Sequence, residues 1–183
     1  MKVHWFSKTV SERDEYARKE EFVSVFQCER AGLQRLALLL TANSEVVKRC
    51  LTRAFQECVA SSSVSKQWVV RWTRRMVIRN AISLVMGPER ESFVNTNDAD
   101  NGPFAFSHDD FLAAIAETAP ILDLPELDRF VFVICVLECY STYDCALLLG
   151  RSIRDIDEAR QRVCNQAGQI NEIGNSSERF AMR

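Results

Sequence analysis

Two blocks of apolar residues with helical spacing dominate this sequence, and a segment without that spacing separates them. In both blocks apolar residues recur at intervals of three and four positions, and no run of strict alternation argues for strands. The separating segment, "MGPERESFVNTNDADNGPF" from Met86 to Phe104, concentrates Gly, Pro, Asn and Asp. We therefore predict an all-α fold with two small helical domains, residues 1–86 and 107–183, joined by a linker over residues 87–106.

Length and hydropathy indicate a packed protein outside the membrane. The chain has 183 residues, of which 47% are hydrophobic, enough to form a buried core. No apolar run approaches the roughly 18 to 20 residues that span a bilayer. The opening residues, "MKVHWFSKTVSERDEYARKEE", lack the apolar core of a secretion signal. We expect a cytoplasmic protein without membrane insertion.

The net charge of −2 conceals a strong asymmetry between the two halves. Residues 1–90 contain 16 Lys or Arg and 9 Asp or Glu, whereas residues 91–183 contain 7 and 16. The halves therefore carry charges of +7 and −9. Such an asymmetry predicts different electrostatic partners for the two halves.

The cysteines and histidines favour neither a metal site nor an enzyme. Seven cysteines, an odd number, are scattered without a Cys-x-x-Cys pair, and the chain has only two histidines. Cys135, Cys139 and Cys145 could contribute thiolates to a metal site, or they could be small buried hydrophobes. We expect reduced thiols, no metal and no cofactor. Because no Ser-His-Asp, Cys-His or Gly-rich phosphate motif occurs, we expect no catalytic activity.

Two helices are predicted before the basic part of the first half. The first, "CERAGLQRLALLLTAN", should end near Asn43, and Ser44 could cap the second, "SEVVKRCLTRAFQECVA". Within the second helix one face is apolar. Its members are Val47, Leu51, Ala54, Phe55 and Cys58.

The next predicted helix, "KQWVVRWTRRMVIRNAISLV" from Lys66 to Val85, is the most basic part of the chain. Its arginines stand beside two tryptophans. Arginine neutralises phosphates and an indole can stack on an unpaired base, so this helix suits nucleic-acid binding. The alternative is a solvated charged face with the tryptophans buried against neighbouring helices. The candidate contacts are Arg71, Arg74, Arg75 and Arg79.

The second half contains the pattern of a helix-turn-helix. In "LPELDRFVFVICVLECY" Pro125 marks a helix start, and the apolar body from Phe130 to Leu137 should be buried on most sides. Two further helices follow, with predicted capping boxes at residues 141–144 and 152–155. Ala146, Gly150 and Ile156 supply a small residue, a turn glycine and an anchoring apolar residue.

The order and spacing of these segments resemble bacterial RNA polymerase sigma factors of the extracytoplasmic-function group. In that family a helical region two precedes a linker and a helix-turn-helix region four. "LQRLALLLTANSEVVKRCLTRAF" is similar to the start of region two, and "RWTRRMVIRNAI" to its Trp-containing basic helix. The best match to region four is "LPELDRFVFVICVLECYSTYDCALLLGRSIRDIDEARQRV". The resemblance implies binding to RNA polymerase core and promoter DNA, with an anti-sigma protein as a further partner.

The chain departs from the family where the polymerase clamp would dock. Family members usually place acidic residues there, whereas this chain has Lys48, Arg49 and Arg53. Close like-charge contacts can cost several kcal/mol. The positions that the resemblance assigns to polymerase binding are Lys48, Arg49, Leu51, Thr52 and Phe55.

The second helix of the helix-turn-helix also departs, because it carries Asp157 and Glu158 where the family has basic and small polar residues. A carboxylate can accept a hydrogen bond from cytosine, but it repels phosphates. Alternatively, Arg154 with Glu158 and Asp157 with Gln161 simply support the helix at i, i+4 spacing. The positions expected to face the groove of DNA are Ser152, Arg154, Asp157, Glu158 and Gln161, and Arg151 and Arg162 are expected to be available to phosphates.

Two hypotheses follow from the sequence. In the first, the protein is a sigma-factor-like transcription initiation factor that binds polymerase core and promoter DNA. In the second, it is a degenerate sigma-like protein that no longer binds promoters and acts through protein contacts. The resemblance favours the first hypothesis, and the reversed charges favour the second.

Overall fold

The computed structural model describes residues 15–87 and 118–180, with side chains as far as residue 166. Within these ranges the ordered elements are helices, apart from one isolated antiparallel bridge between Tyr16 and Ser65. The all-α prediction is confirmed. Beyond Gly87 the predicted linker lies outside the described residues. In the part that is described, no helix is both long and apolar enough to cross a bilayer.

The contacts divide the chain into two compact units, Met1–Glu117 and Thr118–Arg183. In the described part of the first unit, α4 packs against the three helices that precede it in the chain. Their apolar faces meet in one core. The helices are α1 (Lys19–Cys28), α2 (Arg30–Thr41), α3 (Ser44–Ala60) and α4 (Val69–Met86). The largest fully buried side chains of this core are Phe22, Leu33, Leu40, Val47, Leu51, Val77, Ile78 and Leu84.

The junction between α2 and α3 differs by a residue or two from the sequence prediction. The helix α2 ends at Thr41, where Ala42 takes the left-handed conformation with φ of 52°. Asn43, and not Ser44, caps α3, because its side-chain oxygen accepts hydrogen bonds from the backbone N–H groups of Glu45 and Val46, at 2.9 and 3.3 Å. Asparagine and serine are comparably good capping residues, so the spacing alone could not separate them.

A short 3-10 turn, Lys66–Trp68, leads into α4 and is tied to the chain before α1. The backbone N–H of Lys66 donates to the carbonyl of Glu15 at 3.0 Å, and that of Ala17 donates to the carbonyl of Val64 at 2.6 Å. These bonds fix the first residues of α4. They also fix the position of Trp68 at the end of the turn.

In the second unit, residues 118–122 are helical, and α5 (Glu126–Val131) follows after Pro125, which holds the predicted helix start. The helix continues without a break as a π-helical segment, Phe132–Leu137. Phe130, Val131, Val133 and Ile134 are buried as expected. The last two residues of the predicted buried run are an exception, since Val136 and Leu137 are 41% and 45% exposed.

The last two helices, α6 (Thr142–Leu149) and α7 (Ile153–Phe180), meet at a tight turn. Gly150 has φ of +60°, the left-handed conformation predicted for it. Ala146 and Ile156 are buried on either side of the turn. At the start of α7 the Ser152 hydroxyl accepts from the N–H of Asp155 at 3.1 Å, and the Asp155 carboxylate accepts from the N–H of Ser152 at 3.3 Å. The small residue, the turn glycine and the anchoring apolar residue that were predicted for a helix-turn-helix are therefore found where the sequence placed them.

Candidate nucleic-acid interface

Three arginines form one exposed row along α4. Arg71, Arg75 and Arg79 are four residues apart, so their side chains leave the same face of the helix. The opposite face is buried in the core through Val69, Thr73, Met76, Val77, Ala81 and Leu84. We call Arg71, Arg75, Arg79 and the exposed Trp68 the α4 stripe. Because the opposite face packs in the core, the three guanidinium groups of this row face solvent.

Trp68 lies at the N-terminal end of the α4 stripe and is 51% exposed. The guanidinium carbon of Arg71 lies 5.9 Å from the centroid of its ring. At this distance the cation is attracted to the electron-rich face of the indole. The second tryptophan, Trp72, is half-buried and its ring N–H is enclosed without a hydrogen-bond partner. The two indoles are thus in different environments, and only Trp68 offers a ring to a ligand.

The fourth predicted contact on this helix, Arg74, does not belong to the row. Its side chain is 28% exposed, and its Nη1 atom lies 3.9 Å from Oε2 of Glu29, at the start of α2. The carboxylate partly offsets the positive charge of the guanidinium. Arg74 therefore joins α4 to α2, and it is the weakest of the four candidates for a phosphate contact.

A polar groove with a volume of about 390 Å³ adjoins the C-terminal part of the α4 stripe. It lies between α3 and α4. Two arginines and one carboxylate line it together with three uncharged polar side chains: Arg53, Gln56, Glu57, Arg79, Asn80 and Ser83. Asn80 is held in place because its side-chain N–H donates to the carbonyl of Met76 at 2.9 Å. The groove extends the basic surface of α4 toward α3.

The five positions assigned to polymerase binding on α3 are not equally accessible. Leu51 is 1% exposed and packs in the core, so it cannot contact a partner directly. Phe55 is half-buried, with its ring edge-on to Phe26 at a centroid separation of 5.1 Å. Lys48, Arg49 and Thr52 are partly exposed. The Lys48 ammonium lies 3.5 Å from the Glu45 carboxylate, an exposed pair that contributes little stability.

On α7 and in the two residues before it, the side chains predicted to meet DNA are exposed, whereas Ile156, Ala159 and Val163 of α7 are buried. These exposed positions are Arg151, Ser152, Arg154, Asp157, Glu158, Gln161 and Arg162. Ser152 and Asp155 are engaged in the cap. The hydrogen bond from the Ser152 side chain is the largest cause that lowers the pKa of the Asp155 carboxyl. Residues 151–162 contain four arginines and three carboxylates, so the net positive charge is small.

Arg162 makes a two-pronged ion pair inside the second unit. Its Nε and Nη2 atoms donate to the two carboxylate oxygens of Asp128 at 3.0 and 2.6 Å. The Asp128 side chain is only 4% exposed. The hydrogen bond with Asp128 is the largest cause that raises the pKa of Arg162. The prediction that Arg162 is available to phosphates needs correction, because its charge balances a buried carboxylate.

Arg154 is also paired. Its Nε donates to the Glu158 carboxylate at 2.8 Å, so the i, i+4 pair that the helix-supporting alternative predicts is present. Sequence reasoning missed Asp128, since 34 positions separate it from Arg162 and nothing local marks the pair. It also passed over Arg160, another exposed arginine of α7.

Among the described residues no group of histidine, cysteine, aspartate or glutamate side chains is arranged to hold a metal ion. All seven cysteines are free thiols. The comparison with known protein families gives no matching family model. The comparison with curated proteins likewise gives no match.

Proposed function

We propose that this protein is a sigma-factor-like transcription initiation factor, which binds RNA polymerase core and promoter DNA and uses the α4 stripe as its main nucleic-acid contact. The observation that carries the proposal is the exposed row Arg71, Arg75 and Arg79, with an exposed indole at one end. The sequence resemblance assigns the same helix to the melted part of a promoter.

The α4 stripe suits a single strand better than a duplex. Its three guanidinium groups are spread over about 12 Å of helix axis and can follow a phosphate backbone. The indole of Trp68 needs an unpaired base on which to stack, and such stacking contributes about 1–3 kcal/mol per base. In a duplex the faces of the bases are covered by stacking. A duplex would therefore contact the arginines of the stripe but not the Trp68 ring.

Two substitutions test the α4 stripe, and they should leave different signatures. Changing Arg71 and Arg75 together to Ala should flatten the salt dependence of single-strand binding by roughly one to two units in log–log slope. Trp68→Ala should weaken single-strand affinity by about tenfold while leaving that slope in place. Fluorescence anisotropy with a labelled oligonucleotide, measured from low to physiological salt, gives both quantities.

A matched control removes the same charge elsewhere. Arg30 and Arg35 are exposed on α2, and Arg30→Ala with Arg35→Ala should leave the salt slope near that of the unaltered protein. Equal slopes for both double variants would contradict a specific role for α4. An absence of binding at low salt would remove the nucleic-acid part of the proposal.

The second candidate function is protein binding by the second unit, and a specific observation favours it. Two of the arginines predicted to meet DNA, Arg154 and Arg162, are paired with carboxylates of the same unit. On α6, Tyr143 and Leu147 are 61% and 65% exposed and four residues apart, so they share one apolar face. A degenerate sigma-like protein that acts as an interaction module would use such a face.

A further inference from the structure

The groove between α3 and α4 is lined by polar side chains of both charge signs. It contains two guanidinium groups, one carboxylate, two amides and one hydroxyl, from Arg53, Arg79, Glu57, Gln56, Asn80 and Ser83. Within the described part of the chain, no apolar or aromatic side chain lines it. A ligand that fits this groove is therefore polar itself, because an apolar body would cover these groups without satisfying their hydrogen bonds.

Opposite charges line the groove without neutralising each other. Neither the Arg79 guanidinium nor the Glu57 carboxylate makes an ion pair with any described residue, although both line the same groove. Both residues are exposed, so both charges are accessible to a ligand. A molecule that carries one anionic and one cationic group is complementary to this pair.

Asn80 adds a buried hydrogen-bond acceptor. The residue is only 5% exposed. Its Nδ2 atom donates to the carbonyl of Met76 at 2.9 Å, which orients the amide and leaves Oδ1 as an acceptor. No described residue donates to Oδ1, and this atom is not fully enclosed. Because a buried polar atom without a partner is costly, Oδ1 marks a place where an N–H group of a ligand can donate.

We propose that this groove binds an α-amino acid with a polar side chain. The carboxylate of the amino acid binds Arg79, because a guanidinium presents parallel N–H donors that match the two carboxylate oxygens. The ammonium group has three N–H donors and binds the Glu57 carboxylate and Oδ1 of Asn80. The polar side chain of the amino acid meets Gln56 and Ser83. A volume of about 390 Å³ is suitable for a small molecule.

A nucleotide is the competing ligand, since the groove adjoins the α4 stripe. A nucleobase needs a flat surface on which to stack, and none of the described side chains that line the groove is aromatic. The Glu57 carboxylate also repels a phosphate group. The charges of the groove therefore favour a zwitterion over an anion.

Nuclear magnetic resonance of the full-length, ¹⁵N-labelled protein tests the proposal, because it detects weak binding and identifies the site. The probes are L-glutamine and L-serine. At least one of them should shift the side-chain N–H signals of Arg79 and Asn80 in a saturable way. The absence of a saturable shift at both residues, with either probe, would overturn the proposal.

A pair of changes, one in the probe and one in the protein, tests the ammonium contact. Glutaramic acid and 3-hydroxypropanoic acid match L-glutamine and L-serine but lack the amino group. Each should bind about tenfold or more weakly than its amino acid, and Glu57→Gln should weaken the amino acid to a similar extent. The two losses should not add, because both changes remove the same contact. Fully additive losses would contradict the assignment of the ammonium group to Glu57.

Glu20→Gln is the matched control, because it removes an exposed carboxylate of α1 that does not line the groove. It should leave the affinity unchanged, and losses equal to those of Glu57→Gln would reject the site. Tighter binding of guanosine monophosphate or inorganic phosphate than of either amino acid would likewise reject it in favour of an anion site. The titrations contain neither nucleic acid nor polymerase, so their result is independent of the proposed function.

Discussion

Single side chains decide how much positive charge the second unit offers to a ligand. Asp128 is buried, and a buried carboxylate is costly unless a cation and hydrogen bonds compensate it. Arg162 supplies both the cation and the hydrogen bonds, so its charge is balanced by Asp128 within the unit. Arg154 is held more weakly by Glu158, because this pair is exposed to solvent. A ligand could displace Glu158 from Arg154 far more easily than Asp128 from Arg162.

At Gly150 the effect of backbone conformation on stability can be measured separately from the effect of packing. A Cβ atom placed there would meet nothing within 4 Å, so a substitution is opposed only by the φ of +60°. Gly150→Ala should therefore lower the free energy of unfolding by about 1 kcal/mol. Denaturant titration measures this loss. Gly150→Asn is the matched control and should lose less, because asparagine tolerates the left-handed conformation better; an equal or larger loss would contradict the conformational explanation.

At the scale of elements, the sequence predicts what depends on near neighbours along the chain. The starts of α5 and α7 and the left-handed turn at Gly150 were predictable from Pro125, Ser152 and the glycine itself. The π-helical segment was not, because the apolar run from Phe130 to Leu137 suits either helical register. The same ambiguity explains why Val136 and Leu137 were expected to be buried.

In the candidate site, too, the features that depend on neighbouring residues could be predicted, and those that depend on packing between helices could not. Periodicity predicted α4 as a basic helix, yet only packing separates the exposed Arg71, Arg75 and Arg79 from the half-buried Arg74. The pair between Arg162 and Asp128 could not be predicted, since it depends on α5 and α7 meeting across a long stretch of chain. The burial of Leu51, in contrast, follows from the apolar face that periodicity predicted for α3, and only the resemblance assigned it to polymerase binding.

The carboxylates of α7 determine what that helix can bind. If α7 enters a major groove, Asp157→Lys with Glu158→Ser should strengthen duplex binding and steepen its salt slope by about one to two units. Removing Glu158 also releases Arg154 from its ion pair. Gel shifts at two salt concentrations measure both effects. The matched control, Asp123→Lys with Glu126→Ser, makes the same change in charge elsewhere in the unit and should have less effect.

The same variant distinguishes the second candidate function. If the carboxylates serve a basic protein partner, duplex binding stays negligible and capture of that partner from lysate is lost. Unchanged results in both assays would mean that α7 is a packing element, and the binding role assigned to residues 151–162 would be withdrawn.

On the scale of the whole molecule, charge divides the chain into a basic and an acidic half. The basic half contains the α4 stripe and the groove beside it, and the nucleic-acid binding proposed for it should weaken with salt. The acidic half contains the helix-turn-helix, whose arginines are largely balanced by carboxylates. The proposed association with RNA polymerase core would need a further surface of the basic half, and α3 is the surface that the resemblance assigns.

The charges of α3 give the test of that association. If α3 docks on a basic polymerase surface, as the resemblance implies, Lys48 and Arg49 repel it, and Lys48→Glu with Arg49→Glu should tighten binding of purified core polymerase by roughly tenfold or more. The fold should tolerate both changes, because the two side chains are partly exposed and the surface pair of Lys48 with Glu45 contributes little stability. Lys19→Glu with Arg30→Glu reverses the same charge on α1 and α2 and should leave the affinity nearly unchanged. Weaker capture by the α3 variant would mean that α3 meets an acidic partner, and no capture of polymerase by any form would reject the initiation-factor proposal in favour of the interaction module.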